Sequence, residues 1–156
     1  MRKFLIVVVL LLLIVLVGCG NKVKFTVVDF DGKIGLNQPY PDSSLEGKCV
    51  LITQYEDFML FLNQGIFYCK DEYIQKYDSN YFIDNALIIY YGTDGAPCYK
   101  YRFDLCIEEE TLVLNIYYSL PKKQVPDVIV SRVIFIEIKN DVLNEVNGFS
   151  YTRTRK

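Results

Sequence analysis

Five cysteines, Cys19, Cys49, Cys69, Cys98 and Cys106, are the side chains best suited to covalent chemistry in this chain, and no histidine accompanies them. A catalytic thiol needs a basic partner, most often an imidazole, to become the nucleophilic thiolate. Without histidine there is no histidine-based triad, no imidazole base and no histidine-ligated metal centre. Arg102 near Cys106 is the kind of pairing that would have to substitute, and nothing else in the sequence supports it. No two cysteines have the two-residue spacing of a zinc site. A glycine-rich phosphate loop and a Gly-x-Ser-x-Gly elbow are also missing. Asp29-Phe30-Asp31-Gly32 resembles part of a calcium loop, but the further ligands are not at the required spacing, so it reads as a turn. Asp29, Asp31, Asp57 and Asp84 are the acids that a hydrolase pair would draw on, and they read as solvated surface carboxylates. The expectation is a non-enzymatic protein with no catalytic residue, cofactor or metal.

Cys19 is set apart by what precedes it. Arg2 and Lys3 form a short positive region, Phe4–Val17 is an unbroken apolar run of 14 residues, and Gly18, Cys19, Gly20 and Asn21 follow. As a helix that run is about 21 Å long, short of the roughly 30 Å hydrocarbon core of a bilayer. The order of charged, apolar and small residues is that of a secretory signal peptide. Leu16-Val17-Gly18-Cys19 looks like the bacterial lipobox, in which the cysteine takes a diacylglycerol by thioether and the signal is cut just before it. Each buried acyl methylene contributes about 0.8 kcal/mol, so two or three chains hold a small domain firmly. The expectation is a cell-membrane lipoprotein on the extracytoplasmic face, with residues 1–18 as signal peptide and 19–22 as lipidated cysteine and tether. Without Arg2 and Lys3 the chain keeps 15 basic against 19 acidic residues, a net charge of −4, which argues against nucleic acid as a partner.

Cys49, Cys69, Cys98 and Cys106 then remain for disulfides. Cys98 and Cys106 fall on one strand, roughly 26 Å apart at 3.3 Å per residue, which no disulfide spans. The open states are Cys49–Cys98 with Cys69–Cys106, Cys49–Cys106 with Cys69–Cys98, and four free thiols.

The elements that would position these residues are mostly strands. Val23–Phe30 reads as a strand with Val23, Phe25 and Val27 on one face. A polar loop follows to Gly47, and Cys49–Thr53 reads as a short buried strand. Thr53-Gln54-Tyr55-Glu56 has a capping-box pattern that opens a helix to about Asn63, with Phe58, Phe61 and Leu62 inward and Gly65 as its stop. Lys70–Tyr77 suits a second short helix, broken by Asp78-Ser79-Asn80.

Ala86–Gly92 is apolar on both faces, as a central strand is. Asp94-Gly95 is a hairpin signal. Tyr99–Ile107 alternates with Tyr99, Tyr101, Phe103, Leu105 and Ile107 inward, Glu108–Glu110 turns, and Leu112, Leu114, Ile116 and Tyr118 repeat the alternation. Pro121–Pro126 is a loop, and Val128–Lys139 is a strand with Ile134, Ile136 and Ile138 on one face. The fold class is mainly β with one or two short helices, an antiparallel sandwich over residues 23–140, and residues 141–156 form a polar tail. The chain has 13 Tyr and no Trp. Strand alternation sends one member of each pair Tyr90-Tyr91 and Tyr117-Tyr118 outward; sheet propensity accounts for most of this pattern, and a binding face is the alternative reading.

Tyr81–Tyr91 (YFIDNALIIYY) and Val133–Lys139 (VIFIEIK) resemble small lipoproteins of clostridia-like Gram-positive bacteria, which are similar in turn to the carboxyl-terminal domain of the protease-complex-subunit (PrcB-type) family. The likeness spans about residues 50–140. It departs from the pattern at Gly92–Tyr99, which lacks a serine-glycine turn, and at Gln124–Ser131, which lacks a glycine-rich segment. The resemblance implies a compact β fold without catalytic residues, anchored to the membrane and binding an extracytoplasmic protein, with a protease as one such partner. The alternative is an envelope lipoprotein that binds cell-wall glycan or a small ligand.

Overall fold

Residues 86–91 are apolar on both sides because the strand they form is covered on both. The structure, a computed structural model, describes residues 21–29, 48–63, 70–94, 100–119 and 130–156. In chain order its elements are β1 (Asn21–Lys22), β2 (Thr26–Asp29), β3 (Cys49–Ile52), α1 (Tyr55–Asn63), α2 (Lys70–Lys76), α3 (Tyr81–Asp84), β4 (Asn85–Asp94), β5 (Lys100–Glu108), β6 (Thr111–Ser119), β7 (Val130–Lys139), a 3-10 turn (Asn140–Glu145) and β8 (Gly148–Arg155). They form two four-stranded sheets, an inner one ordered β2-β7-β4-β3 and an outer one ordered β1-β5-β6-β8. Every pairing is antiparallel except β6 with β8, which is parallel. The fold is therefore mainly β and sandwich-like, with short helices, as the sequence predicts.

The period-2 pattern of β4 and β7 divides the core in two. Ala86, Ile88, Tyr90, Ile134, Ile136 and Ile138 pack against Leu105, Leu112, Leu114 and Ile116 of the outer sheet, the filling of a sandwich. The intervening residues Leu87, Ile89, Tyr91, Val133 and Phe135 face the other way, onto Phe58, Phe61 and Leu62 of α1, Tyr73 of α2 and Tyr77 just after it, and Phe82 of α3. The molecule thus has three layers: helices, inner sheet, outer sheet. The aromatic rings between helices and sheet meet edge-on or tilted, with Phe58 5.6 Å from Tyr77 and Phe135 5.2 Å from Tyr73. Such geometry sets the positive edge of one ring on the negative face of the next.

The helix layer follows the sequence closely. Phe58, Phe61 and Leu62 are buried, and the first backbone bond of α1 runs from Phe58 N to Gln54 O at 3.2 Å. Asp78 ends the α2 region as predicted and starts α3, its Oδ1 accepting from Tyr81 N at 2.9 Å. Asn140, just past β7, donates from Nδ2 to the carbonyls of Phe82 and Ile83 at 3.0 and 3.1 Å, tying α3 to the sheet end.

Four expectations are corrected. Val23–Phe30 is not one strand, since β1 pairs with β5 in the outer sheet and β2 with β7 in the inner one. Val23 and Phe25 still enter the sandwich core, while Val27 is exposed at the edge. Asp94 does not lead into a hairpin with the next strand, because β4 pairs with β3 and β7 and the chain changes sheet before β5. Tyr90 and Tyr91 are both buried, because β4 has a layer on each face and no outward side. The polar segment after residue 140 is a 3-10 turn and an eight-residue strand, with Val142, Leu143, Val146 and Phe149 packed on the sandwich core.

The β5–β6 connection is a two-residue turn, and Glu109 and Glu110 both have positive φ, 47° and 61°. A glutamate there is strained, as the turn normally recruits Asn and Gly. Glu110 is held by the segment before β8: Asn147 donates from N to Glu110 O and from Nδ2 to Glu110 Oε2, both at 2.7 Å. Residues 1–18, Cys19, Asp31, Cys69, Cys98, Tyr99, Gly65, Gly95 and the Pro121–Pro126 loop lie outside the described residues.

Candidate functional site

β5, β6 and β8 carry polar side chains on the face turned away from the sandwich core. Toward the Lys100 end of that face, Arg102 lies over the Tyr117 ring at 5.5 Å and Lys156 over the same ring at 4.4 Å. These three meet because Arg102 pairs across the strands with Tyr117, and Tyr117 with Thr154. On the opposite face of the same end, Arg153 covers Tyr118 at 4.6 Å. Stacking of this kind fixes long cationic side chains while their charge stays in water. Arg102 also approaches Asp104 at 3.8 Å, an exposed pair of little energetic weight.

Along the strands the charge changes sign. Residues 100–104, 115–119 and 152–156 contain Lys100, Arg102, Arg153, Arg155 and Lys156 against the single acid Asp104. At the other end the outer sheet has Glu108, Glu109 and Glu110, with Lys22 beside them on β1. A cleft of about 430 Å³ opens at this end, lined by Lys22, Lys24, Lys139, Asp141 and Glu145 among others. Its charged lining is mixed, three lysines against two acids.

The structure separates the cysteines it describes. Cys49 faces the sandwich core from β3, and burial pushes its thiol up to about 12. Cys106 is on the outer face, its Sγ donating to Glu108 Oε1 at 3.3 Å and accepting from Asn115 Nδ2 at 3.9 Å. Its pKa is pushed up to about 11, first by loss of solvent, then by the hydrogen bond and charge of Glu108 and the charge of Asp104, with Lys22 opposing. Both are free thiols, so the Cys49–Cys106 pairing is not made. Both are protonated near neutral pH, the reverse of an activated nucleophile. Arg102 is four residues from Cys106 on one strand face, about 13 Å away, and is engaged with Tyr117 and Asp104 instead.

Among the acids singled out from the sequence, Asp57 is exposed in the first turn of α1 and Asp84 is exposed at the end of α3. Asp29 lies in β2. No group of three or more His, Cys, Asp or Glu residues is arranged to hold a metal among the described residues.

Glu137 is a residue that sequence reasoning does not single out. This carboxylate shares the helix-facing side of β7 with Val133 and Phe135, accepts a hydrogen bond from Tyr77 OH at 3.0 Å, and pairs with Lys76 Nζ at 2.8 Å. Burial, followed by the charge of Glu137, pushes the Tyr77 and Tyr81 hydroxyls well above the usual tyrosine range. An acid at an apolar-phase position of a strand is the signal that could have found it. The cluster joins α2 to β7 and serves as a clamp. Comparison with family models, with curated proteins and with solved structures finds no match. Among the described residues no helix is long and apolar enough to cross a membrane.

Proposed function

We propose that this protein is an extracytoplasmic lipoprotein, anchored to the cell membrane through Cys19, whose β domain binds another protein and catalyses no reaction. The observation that carries the binding half is the cationic, tyrosine-backed end of the outer sheet, where Arg102 and Lys156 stack on Tyr117 and Arg153 on Tyr118. Aromatic and arginine side chains held in place lose little conformational freedom on contact and dominate protein interfaces. Both described thiols being held protonated agrees with a role outside catalysis. The lipobox-like Leu16-Val17-Gly18-Cys19 supports the anchor. A protease remains the partner suggested by the resemblance of residues 50–140, and the glycan-binding alternative has no feature of the described surface that favours it.

Two measurements test this. Cys19→Ala should leave an unprocessed precursor that takes up no labelled fatty acid, and normal processing with labelling would end the anchor reading. Cross-linking in intact cells followed by purification of the full chain should recover one defined protein, and Arg102→Glu with Lys156→Glu should lose it. Recovery of peptidoglycan fragments alone would move the assignment to the glycan reading.

A further inference from the structure

We infer that the cleft beside β1 binds the headgroup of a membrane glycerophospholipid that carries an ammonium next to its phosphate, phosphoethanolamine being the simplest such group. This rests on the Cys19 anchor proposed above and names the lipid on which the anchored domain sits.

The cleft brings two stretches of chain together. Lys22 and Lys24 come from β1 and the residues after it, and Lys139, Asp141 and Glu145 from the end of β7 and the 3-10 turn. Its volume of about 430 Å³ falls in the range of small-ligand pockets. Both stretches are held by backbone or side-chain bonds. Val23 N donates to Leu105 O at 2.9 Å, Lys139 pairs with Asn85 in the inner sheet, and Asn140 Nδ2 fixes the start of the turn on the carbonyls of Phe82 and Ile83. A cleft held in this way loses little freedom when it is filled.

Charges of both signs line the cleft without meeting. No ion pair or hydrogen bond joins Lys22, Lys24 or Lys139 to Asp141 or Glu145. The lysines are thus available to a phosphate, which ammonium groups bind as point charges, and the carboxylates to an ammonium. Val23, Ile107 and Val142 are half-buried and supply apolar surface for the carbons between those two groups. Residues three apart share a face of a 3-10 turn, so Glu145 stands on the same side as Val142.

Around the cleft acids prevail, since Asp84, Glu108, Glu109 and Glu110 belong to the same end of the sandwich. A headgroup that is only anionic meets this excess unopposed. One with an ammonium beside its phosphate satisfies lysines and acids together.

The anchor supplies the lipid. Asn21 lines the cleft and is two residues after Cys19, so their α-carbons are within about 8 Å. A lipidated Cys19 therefore brings the cleft to the level of the headgroups. Arg102, five residues from Ile107 on β5, is about 17 Å further along the strand, at the other end of the outer sheet.

The test is native mass spectrometry of the lipidated full chain, released from uncharged detergent and offered equal amounts of phosphatidylethanolamine and phosphatidylglycerol. Phosphatidylethanolamine is expected to be retained about threefold or more over phosphatidylglycerol. Asp141→Asn with Glu145→Gln should reverse that preference, and Lys22→Gln with Lys139→Gln should lower retention of both lipids. All four residues are exposed, and thermal melts establish that both variants fold. Equal retention of the two lipids by the native chain, or an unchanged ratio after the acids are neutralised, would overturn the assignment. Glycerophosphoethanolamine, followed by saturation-transfer NMR, should bind the full chain and the Cys19→Ala chain alike, so failure of the anchor reading registers separately. Absence of saturation transfer would overturn the headgroup site, and binding of this soluble headgroup without retention of the lipid would overturn the membrane as its source.

Discussion

Tyr77 carries more of the architecture than any exposed residue does. Its ring packs on Phe58, Tyr81 and Phe135, and its hydroxyl donates to Glu137, which also holds Lys76. Because burial and the neighbouring carboxylate raise its pKa, the folded protein keeps the hydroxyl protonated where the unfolded chain releases the proton. This contribution is complete below about pH 10 and is lost as pH rises, at about 1.4 kcal/mol per pH unit. Tyr81 acts in the same direction. Tyr77→Phe should cost about 1–2 kcal/mol at neutral pH through the lost bond to a charged acceptor. It should also reduce the alkaline slope by about 1.4 kcal/mol per pH unit, read from urea unfolding between about pH 9 and pH 11.5. An unchanged slope would mean that Tyr77 does not titrate against the fold.

At the scale of elements, the β5–β6 turn is where local preference and tertiary demand disagree. Glu109 and Glu110 occupy left-handed backbone that Asn and Gly adopt more readily. Glu110 has a compensating clamp on Asn147. Glu109→Asn should therefore stabilise the protein by about 0.5–1 kcal/mol. Glu110→Gly relieves similar strain but gives up the clamp, so no net gain is expected. Urea midpoints of the two variants check this contrast. The turn, the 3-10 turn and β8 thus form one unit in which Asn147 sets where the parallel strand begins.

For the whole molecule, the layering determines which substitutions matter. Phe58 sits fully buried between helices and inner sheet, and Phe58→Ala should cost about 3–5 kcal/mol. Phe149 is only partly buried against the sandwich core, so Phe149→Ala should cost less, about 1–2 kcal/mol. A cost near zero for Phe149→Ala would return residues 148–155 to the status of an unpacked tail. The same layering accounts for the sign change along the outer sheet, since acids and cations far apart in sequence collect at opposite ends only when β5, β6 and β8 align.

Alternation is legible in the amino-acid order alone: Leu112, Leu114 and Ile116 point one way because a strand has period two, and Phe58, Phe61 and Leu62 share a helix face for an equally local reason. The lipobox-like stretch before Cys19 and the lack of histidine are likewise local facts that owe nothing to folding. Strand partners are different in kind. The hydrogen bonds that join β6 to β8 and send β4 and β5 to separate sheets run between backbone groups that every residue but proline carries alike, so no side-chain pattern marks them. That is why Asp94-Gly95 suggests a hairpin that does not form, and why the cationic end of the outer sheet and the Glu137 clamp exist only once the layers are assembled.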